Sequence, residues 1–280
     1  MSAIGANAAG LLVDNGTLEP AAIQRLRVIA RALGEKLQCE VAPVSLQHSD
    51  RVPADQLDGR PGEVIEGALR RRLAAGIHEF VILPFFIGPT RALSEFLPAV
   101  LANLQAEFPQ LKVHTAAPLH AGGEDALARI LAMQVETVLA AEPKSEALPR
   151  VALVDHGSPV RAVTDVRNRI AGKLAQRLGP RAAGVAPCSM ERRAGAEYDF
   201  NEPLLETLLT APLWNAGTVV VAHLFLLPGR HAGSEGDVAR ICAQAVVAAP
   251  GLRTVRAGLL GDSPELLDIL AGNYRALGRA

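Results

Sequence analysis

The sequence predicts an α/β protein made of two tandem domains, each a parallel sheet flanked by helices. Three observations carry that prediction. Short apolar runs alternate with segments whose apolar residues recur at helical spacing, the pattern of a parallel sheet with right-handed crossovers. Three short sequence matches recur in the same order at nearly constant offset, which marks an internal repeat. The chain of 280 residues is also long enough for two ordinary domains, each with its own core.

Taken in order, residues 10–13 form a short apolar strand closed by Asp14, Asn15, Gly16 and Thr17. Behind it Ile23, Leu26, Ile29, Leu33 and Leu37 recur at helical spacing. Residues 39–46 read as a second strand, the polar Pro/Gly-bearing segment 50–62 as a loop, and 63–75 as a helix. A third apolar strand spans 80–87 and is closed by Gly88-Pro89; helix 93–106, strand 112–116 and helix 124–140 follow. The polar, proline-bearing stretch EPKSEALP marks a linker near 141–149, which places the domains at 1–142 and 148–280. In the second half, strand 151–154 runs into Asp155, His156, Gly157 and Ser158. Residues 218–227 are an apolar run too short to cross a bilayer, bounded by Pro228-Gly229, and read as a strand buried on both faces. The loop after it carries Arg230 and His231 and leads into a helix marked by Val238, Ile241, Ala245 and Val246.

The repeat can be checked residue by residue. LVDNG at 12–16 returns as LVDHG at 153–157, an offset of 141. VAPVS at 41–45 returns as VAPCS at 185–189, an offset of 144, and Phe86, Pro89 and Arg91 fall on Phe225, Pro228 and Arg230, an offset of 139. Against this shared frame the chemistry differs. His156 aligns with Asn15, Glu191 with Gln47 and His231 with Ala92, so the second copy holds titratable side chains where the first holds neutral ones. One active and one supporting copy would look like this.

Composition removes several function classes. Lys and Arg number 28 against 29 Asp and Glu, so no global field favours nucleic acid or an anionic membrane. Cys39, Cys188 and Cys242 form no C-x-x-C pair, which leaves no thiolate zinc site or disulfide framework. The N-terminus has no basic segment before an apolar core, so a cytoplasmic location is expected. The glycines at 229, 233 and 236 do not form a nucleotide-binding fingerprint.

In the predicted topology His156, Glu191 and His231 each follow a different strand of the second sheet. All three then lie at its carboxyl edge, where parallel α/β sheets bind ligands. Two imidazoles and a carboxylate suit iron(II), cobalt(II), nickel(II) or zinc, with coordination positions left open. His223 sits inside the apolar run and stands open between a hydrogen-bonded core histidine and a functional one, whereas His48, His78, His114 and His120 are read as structural. Asp155, beside His156, stands open between an orienting partner, a ligand and an ordinary loop residue.

The His-Gly-Ser loop at 156–158, the glutamate at 191 and the PGRHAG loop after LFLLP resemble the sirohydrochlorin chelatases, whose long members are also two tandem chelatase domains. That resemblance implies a metal-inserting lyase acting on sirohydrochlorin with Co²⁺ or Fe²⁺ as co-substrate, and no organic cofactor. It implies His156, His231 and Glu191 as metal ligands and catalytic groups, one histidine doubling as acceptor of a pyrrolic proton. A flat macrocycle with carboxylates at its rim calls for an apolar floor edged by cations. Ser158, Arg161, Arg192, Arg193, Leu227 and Arg230 are the expected substrate contacts, with Arg91 reaching from the first domain into a cleft between the two. The expected assembly is a monomer or homodimer, with no nucleic acid or membrane partner. Three rivals stand beside this reading: a chelatase for nickel or another tetrapyrrole, a metal or tetrapyrrole carrier without turnover, and a periplasmic-binding-like module. The first half, with Asn15, Gln47 and Ala92, departs from the family pattern, and no metal chemistry is expected there.

Overall fold

A computed structural model describes residues 5, 8–143 and 147–278. The strands are β1 (Ala9–Asp14), β2 (Val41–Ser45), β3 (Glu79–Pro84), β4 (Lys112–Thr115), β5 (Arg150–Asp155), β6 (Gly184–Ser189), β7 (Gly217–His223) and β8 (Leu252–Arg256). The helices are α1 (Pro20–Leu37), α2 (Ile65–Ala74), α3 (Leu97–Glu107), α4 (Glu124–Ala141), α5 (Arg161–Leu178), α6 (Leu205–Thr210), α7 (Asp237–Ala248) and α8 (Leu266–Leu277). Two four-stranded sheets form, with orders β2-β1-β3-β4 and β6-β5-β7-β8. Every pairing is parallel, and the registers correspond: Asp14 lies opposite Ser45 and Asp155 opposite Ser189.

The central strands are apolar throughout because helices cover both faces of each sheet. In β5 and β7, residues 151–154 and 219–222 have no exposed surface. One face of the first sheet, with Leu11, Val13, Val44, Phe80 and Ile82, packs on Leu69 and Leu73 of α2 and on Leu97 and Leu104 of α3. In the second, Ala152, Val154, Val219 and Val221 pack on Leu205 and Leu209 of α6 and Val238, Cys242 and Ala245 of α7. No helix among the described residues is long and apolar enough to cross a membrane.

The compact units divide differently from the sequence boundary at 141–149. One unit takes the chain up to Ala121 together with the C-terminal stretch from Leu267; the other is Gly122–Leu266. Helix α4 therefore belongs with the second sheet. Its Gln134 amide donates to the Leu259 carbonyl at 2.7 Å, and Glu124 and Asp125 pair with Arg169 and Lys173 of α5. Helix α8 returns to the first unit, where Asn273 donates to the Ala117 carbonyl at 2.9 Å and Asp268 pairs with Lys36. An amphipathic helix needs an apolar surface to cover, and its sequence does not say which of two similar sheets supplies it. The linker reading itself falls partly outside the described residues.

Most strand bounds shift by a residue or two, and one shift matters. The apolar run at 218–227 leaves the sheet after His223. Leu224 N–H still donates to the Val154 carbonyl, but the Phe225 and Leu226 carbonyls accept from Leu260 and Gly261, so 224–227 is an irregular turn held by the segment after β8. The run at 80–87 likewise leaves the sheet after Pro84, with the Phe86 and Ile87 carbonyls accepting from Leu119 and His120.

Candidate metal centre

The loops at the carboxyl ends of β5 and β6 are laced together by their backbones. Met190 N–H donates to the Asp155 carbonyl at 2.7 Å and Glu191 N–H to the His156 carbonyl at 3.2 Å. The fit is close enough that a Cβ on Gly157, whose φ is +94°, would sit 1.9 Å from the Glu191 carbonyl oxygen. Only glycine accepts both that dihedral and that approach. The first unit repeats the device, with Gly16 at φ +90° against the Gln47 carbonyl. The motif glycines thus bring whatever follows β1 or β5 beside whatever follows β2 or β6. In the second unit these are His156 and Glu191, whose Nε2 and Oε1 stand 3.5 Å apart.

His231 arrives from the loop after β7. Its ring lies edge-on to that of His156, with centroids 4.7 Å apart. The two imidazoles and Glu191 line an open cavity of about 440 Å³, together with Met190, Arg230, Asp237, Arg240, Ile241 and Gln244. The partners of the ring nitrogens bear on the tautomers. His156 Nδ1 lies 3.1 Å from the Gly157 carbonyl and His231 Nδ1 lies 2.6 Å from Asp237 Oδ2. Asp237 only accepts, so Nδ1 of His231 carries the hydrogen, whereas His156 lies between two acceptors, the Gly157 carbonyl at Nδ1 and the Glu191 carboxylate at Nε2. His156 Nε2 and the Glu191 carboxylate face each other across a gap of 3.5 Å, a place where a cation can be shared between them. The three side chains are juxtaposed without closing into a cage. Among the described residues no group of three or more His, Cys, Asp or Glu side chains is drawn together as a ready-made metal cluster. His156 and Glu191 are about half exposed.

Beneath the loops lies a buried polar network. Asp155 Oδ1 accepts from Gly157 N–H at 3.1 Å, from the Ser189 hydroxyl at 2.7 Å and from the Arg167 guanidinium at 3.4 Å. Arg167, with about 1% of its surface exposed, also donates to Ser189 and the Asn201 carbonyl. Asn201 in turn binds the backbone of Ser158 on both sides. Asp155 therefore ties the loop of His156 to the core, and its hydrogen bonds among the described residues go to Gly157, Ser189 and Arg167, not to the imidazole. In the first unit the same register position holds Asp14, but α1 places Leu26 where α5 places Arg167. Burial without a counter-cation pushes the Asp14 carboxyl up to about 6, and its Oδ1 finds no hydrogen-bond donor among the described residues.

The substrate-contact expectations divide. Arg230 and Leu227 lie on the loop after β7, Arg230 well exposed and lining the cavity. Arg161 stacks over the Phe200 ring at 4.6 Å and Arg193 over Tyr198 at 5.9 Å. Arg192 is committed to Glu202 at 2.6 Å, Asp199 at 3.3 Å and two backbone carbonyls, which makes it a brace for its own loop. The Ser158 hydroxyl accepts from Val160 N–H at 3.0 Å at the start of α5. Arg91, in the first unit, pairs with Glu95 at 2.8 Å. His223 is a core residue, donating from Nδ1 to the Ala257 carbonyl at 2.8 Å, and burial lowers its pKa to about 4. The larger cavity of the first unit, about 710 Å³ beside edge strand β2, is lined by Arg27, Arg60, Arg72 and Glu63 among others and by no histidine.

Asp237, Arg240, Gln244 and Met190 were not singled out from sequence. The arginine at 167 did leave a signal, since it lies on the apolar stripe of α5 with Ile170, Leu174 and Leu178.

Two parallel four-stranded sheets with imidazoles at one sheet edge define a two-unit α/β protein. The CbiX family model matches residues 9–138, so the first half of the chain is similar to that family. The matched segment is the half that carries Asn15, Gln47 and Ala92. Solved structures agree on the fold. SirB from Bacillus subtilis with Fe³⁺ is 14% identical, covers 97% of this chain and 95% of its own, and has a TM-score of 0.71. SirB from Bacillus subtilis subspecies spizizenii in complex with cobalt gives 14%, the same coverages and 0.70. CbiX, described as the terminal enzyme for biosynthesis of siroheme in denitrifying bacteria, gives 18%, 96% and 98%, and 0.58. No curated protein matches the chain by sequence.

Proposed function

We propose that the chain is a cytoplasmic chelatase that inserts Co²⁺ or Fe²⁺ into sirohydrochlorin, using the second unit's site. One observation carries this reading: His156 Nε2 and the Glu191 carboxylate face each other at 3.5 Å beside His231. An N,N,O set binds a divalent ion without thiolates, firmly enough to present it and loosely enough to release it. Insertion displaces two pyrrolic protons. Groups that have just released the metal regain lone pairs able to accept them, so His156 or His231 and Glu191 serve both steps. Arg230, exposed at the cavity, is placed to meet a carboxylate of the macrocycle rim. Structures of the similar SirB proteins hold Fe³⁺ and cobalt, which supports either metal as substrate. No organic cofactor enters the scheme. The two units are read as copies of one ancestor, of which the first has kept the frame and lost the ligands.

The test is anaerobic incubation of the protein with sirohydrochlorin and Co²⁺ or Fe²⁺, following the absorption spectrum against a control without protein. Acceleration with one metal establishes the activity and its pathway branch. Sirohydrochlorin binding with no acceleration would transfer the assignment to a carrier.

A further inference from the structure

Asp237 is the first residue of α7, and the loop after β7 folds back to meet it. Asp237 N–H donates to the Arg230 carbonyl at 3.2 Å and Val238 N–H to the His231 carbonyl at 3.1 Å, so the loop's own carbonyls cap the helix. Between them Gly236 passes so closely that a Cβ there would lie 2.6 Å from the His231 carbonyl oxygen and 2.7 Å from that of Arg230. With the loop closed in this way, Asp237 Oδ2 lies 2.6 Å from His231 Nδ1. The other oxygen, Oδ1, is held by Arg240, and Arg230 Nε lies 4.0 Å from Oδ2. Arg240 thus keeps the carboxylate in place as an acceptor, and the imidazole hydrogen bond holds its pKa below the usual aspartate range.

We propose that Asp237 is a positioning residue for the metal site: it locks His231 as the Nδ1–H tautomer, so that Nε2 always meets an incoming divalent ion as a lone pair. Asp237 is anchored to His231 and Arg240 and acts through the imidazole, with no ligand role of its own. A carboxylate behind a ligating histidine fixes the ring's tautomer and orientation and raises its donor strength, an effect typically worth about 10–100-fold in metal affinity. His156 is held by a backbone carbonyl instead. The two histidines are therefore unequal donors, and His231 is the stronger.

The inference rests on reading His231 as a metal ligand, and its test needs no tetrapyrrole. Full-length protein labelled with ¹⁵N-histidine gives the tautomer of each ring by NMR, and calorimetry with Co²⁺ alone gives the affinity. The carboxamide introduced by D237N can donate to Nδ1, so the variant should move His231 to the Nε2–H tautomer and weaken Co²⁺ binding about 10–100-fold. D237E, which keeps an acceptor, should stay within about threefold of wild type, and D237N added to H231A should cause no further loss. Absence of Co²⁺ binding by wild type, an unchanged tautomer in D237N, equal loss in D237E and D237N, or additional loss in the double variant each overturns the proposal. If D237N weakens Co²⁺ as expected while wild type inserts no metal into sirohydrochlorin, the positioning role stands and the chelatase reading fails.

Discussion

Asp14→Asn should stabilise the protein at neutral pH and not in acid. Asp14 sits at the end of β1 and is about 6% exposed; burial raises its carboxyl from an ordinary 3.8 to about 6. Each pH unit of displacement corresponds to about 1.4 kcal/mol, so holding the ionised group in the folded state costs about 3 kcal/mol above pH 7. The sign follows from linkage: the folded state binds the proton more tightly, so the penalty is absent below the unfolded value near 3.8, grows through the window from 3.8 to 6 and is constant above it. Asparagine keeps the shape and can still meet Ser45, but it never ionises. Urea unfolding of D14N and wild type at pH 4.0 and pH 7.5 therefore should show the stability difference moving toward the variant by about 2 kcal/mol as pH rises. A difference that does not change with pH would refute the view that Asp14 is a buried acid lacking its cation.

Further outcomes follow from the second unit. His223 behaves oppositely to Asp14: with its pKa lowered from 6.5 to about 4 by burial, its contribution is intact above 6.5 and is lost as pH falls toward 4, by about 3 kcal/mol in full. H223Q should flatten the pH dependence of stability between 6.5 and 4; an unchanged slope contradicts the assignment. R167L copies the first unit's Leu26 and strands Asp155 in the core. It should destabilise by about 3–5 kcal/mol in urea unfolding, and a loss below about 1 kcal/mol would mean the network is not the anchor of the two loops. G157A should displace Glu191 from His156 and lower insertion at least about tenfold, because its Cβ would strike a backbone carbonyl that cannot rotate away; near-normal rates would show that the juxtaposition is not required.

Periodicity exposed the two sheets because their central strands are buried on both faces and so read as unbroken apolar runs, as at 151–154. The repeat exposed the asymmetry, since LVDNG and LVDHG share a glycine demanded by the same close approach. What stayed hidden depends on distance in the chain. Asp237 meets His231 only through a loop closure at Gly236 that no periodic pattern encodes. Arg192 looked like a free cation at a ligand loop, yet Asp199 and Glu202 claim it, because the turn that follows bends back over it. The placement of α4 and α8 was equally unreadable, as either sheet offers an apolar face of the same kind.

The central claim is that metal insertion belongs to the histidines of the second unit and owes nothing to the matching positions of the first. It is tested most directly by anaerobic insertion rates for H156A, H231A and N15A, measured together against wild type with the favoured metal. The account predicts loss of at least about a hundredfold in the two histidine variants, a transition-state deficit near 3 kcal/mol, and a rate within about twofold of wild type for N15A. Equal losses in all three, or retention of activity without His156, would contradict it.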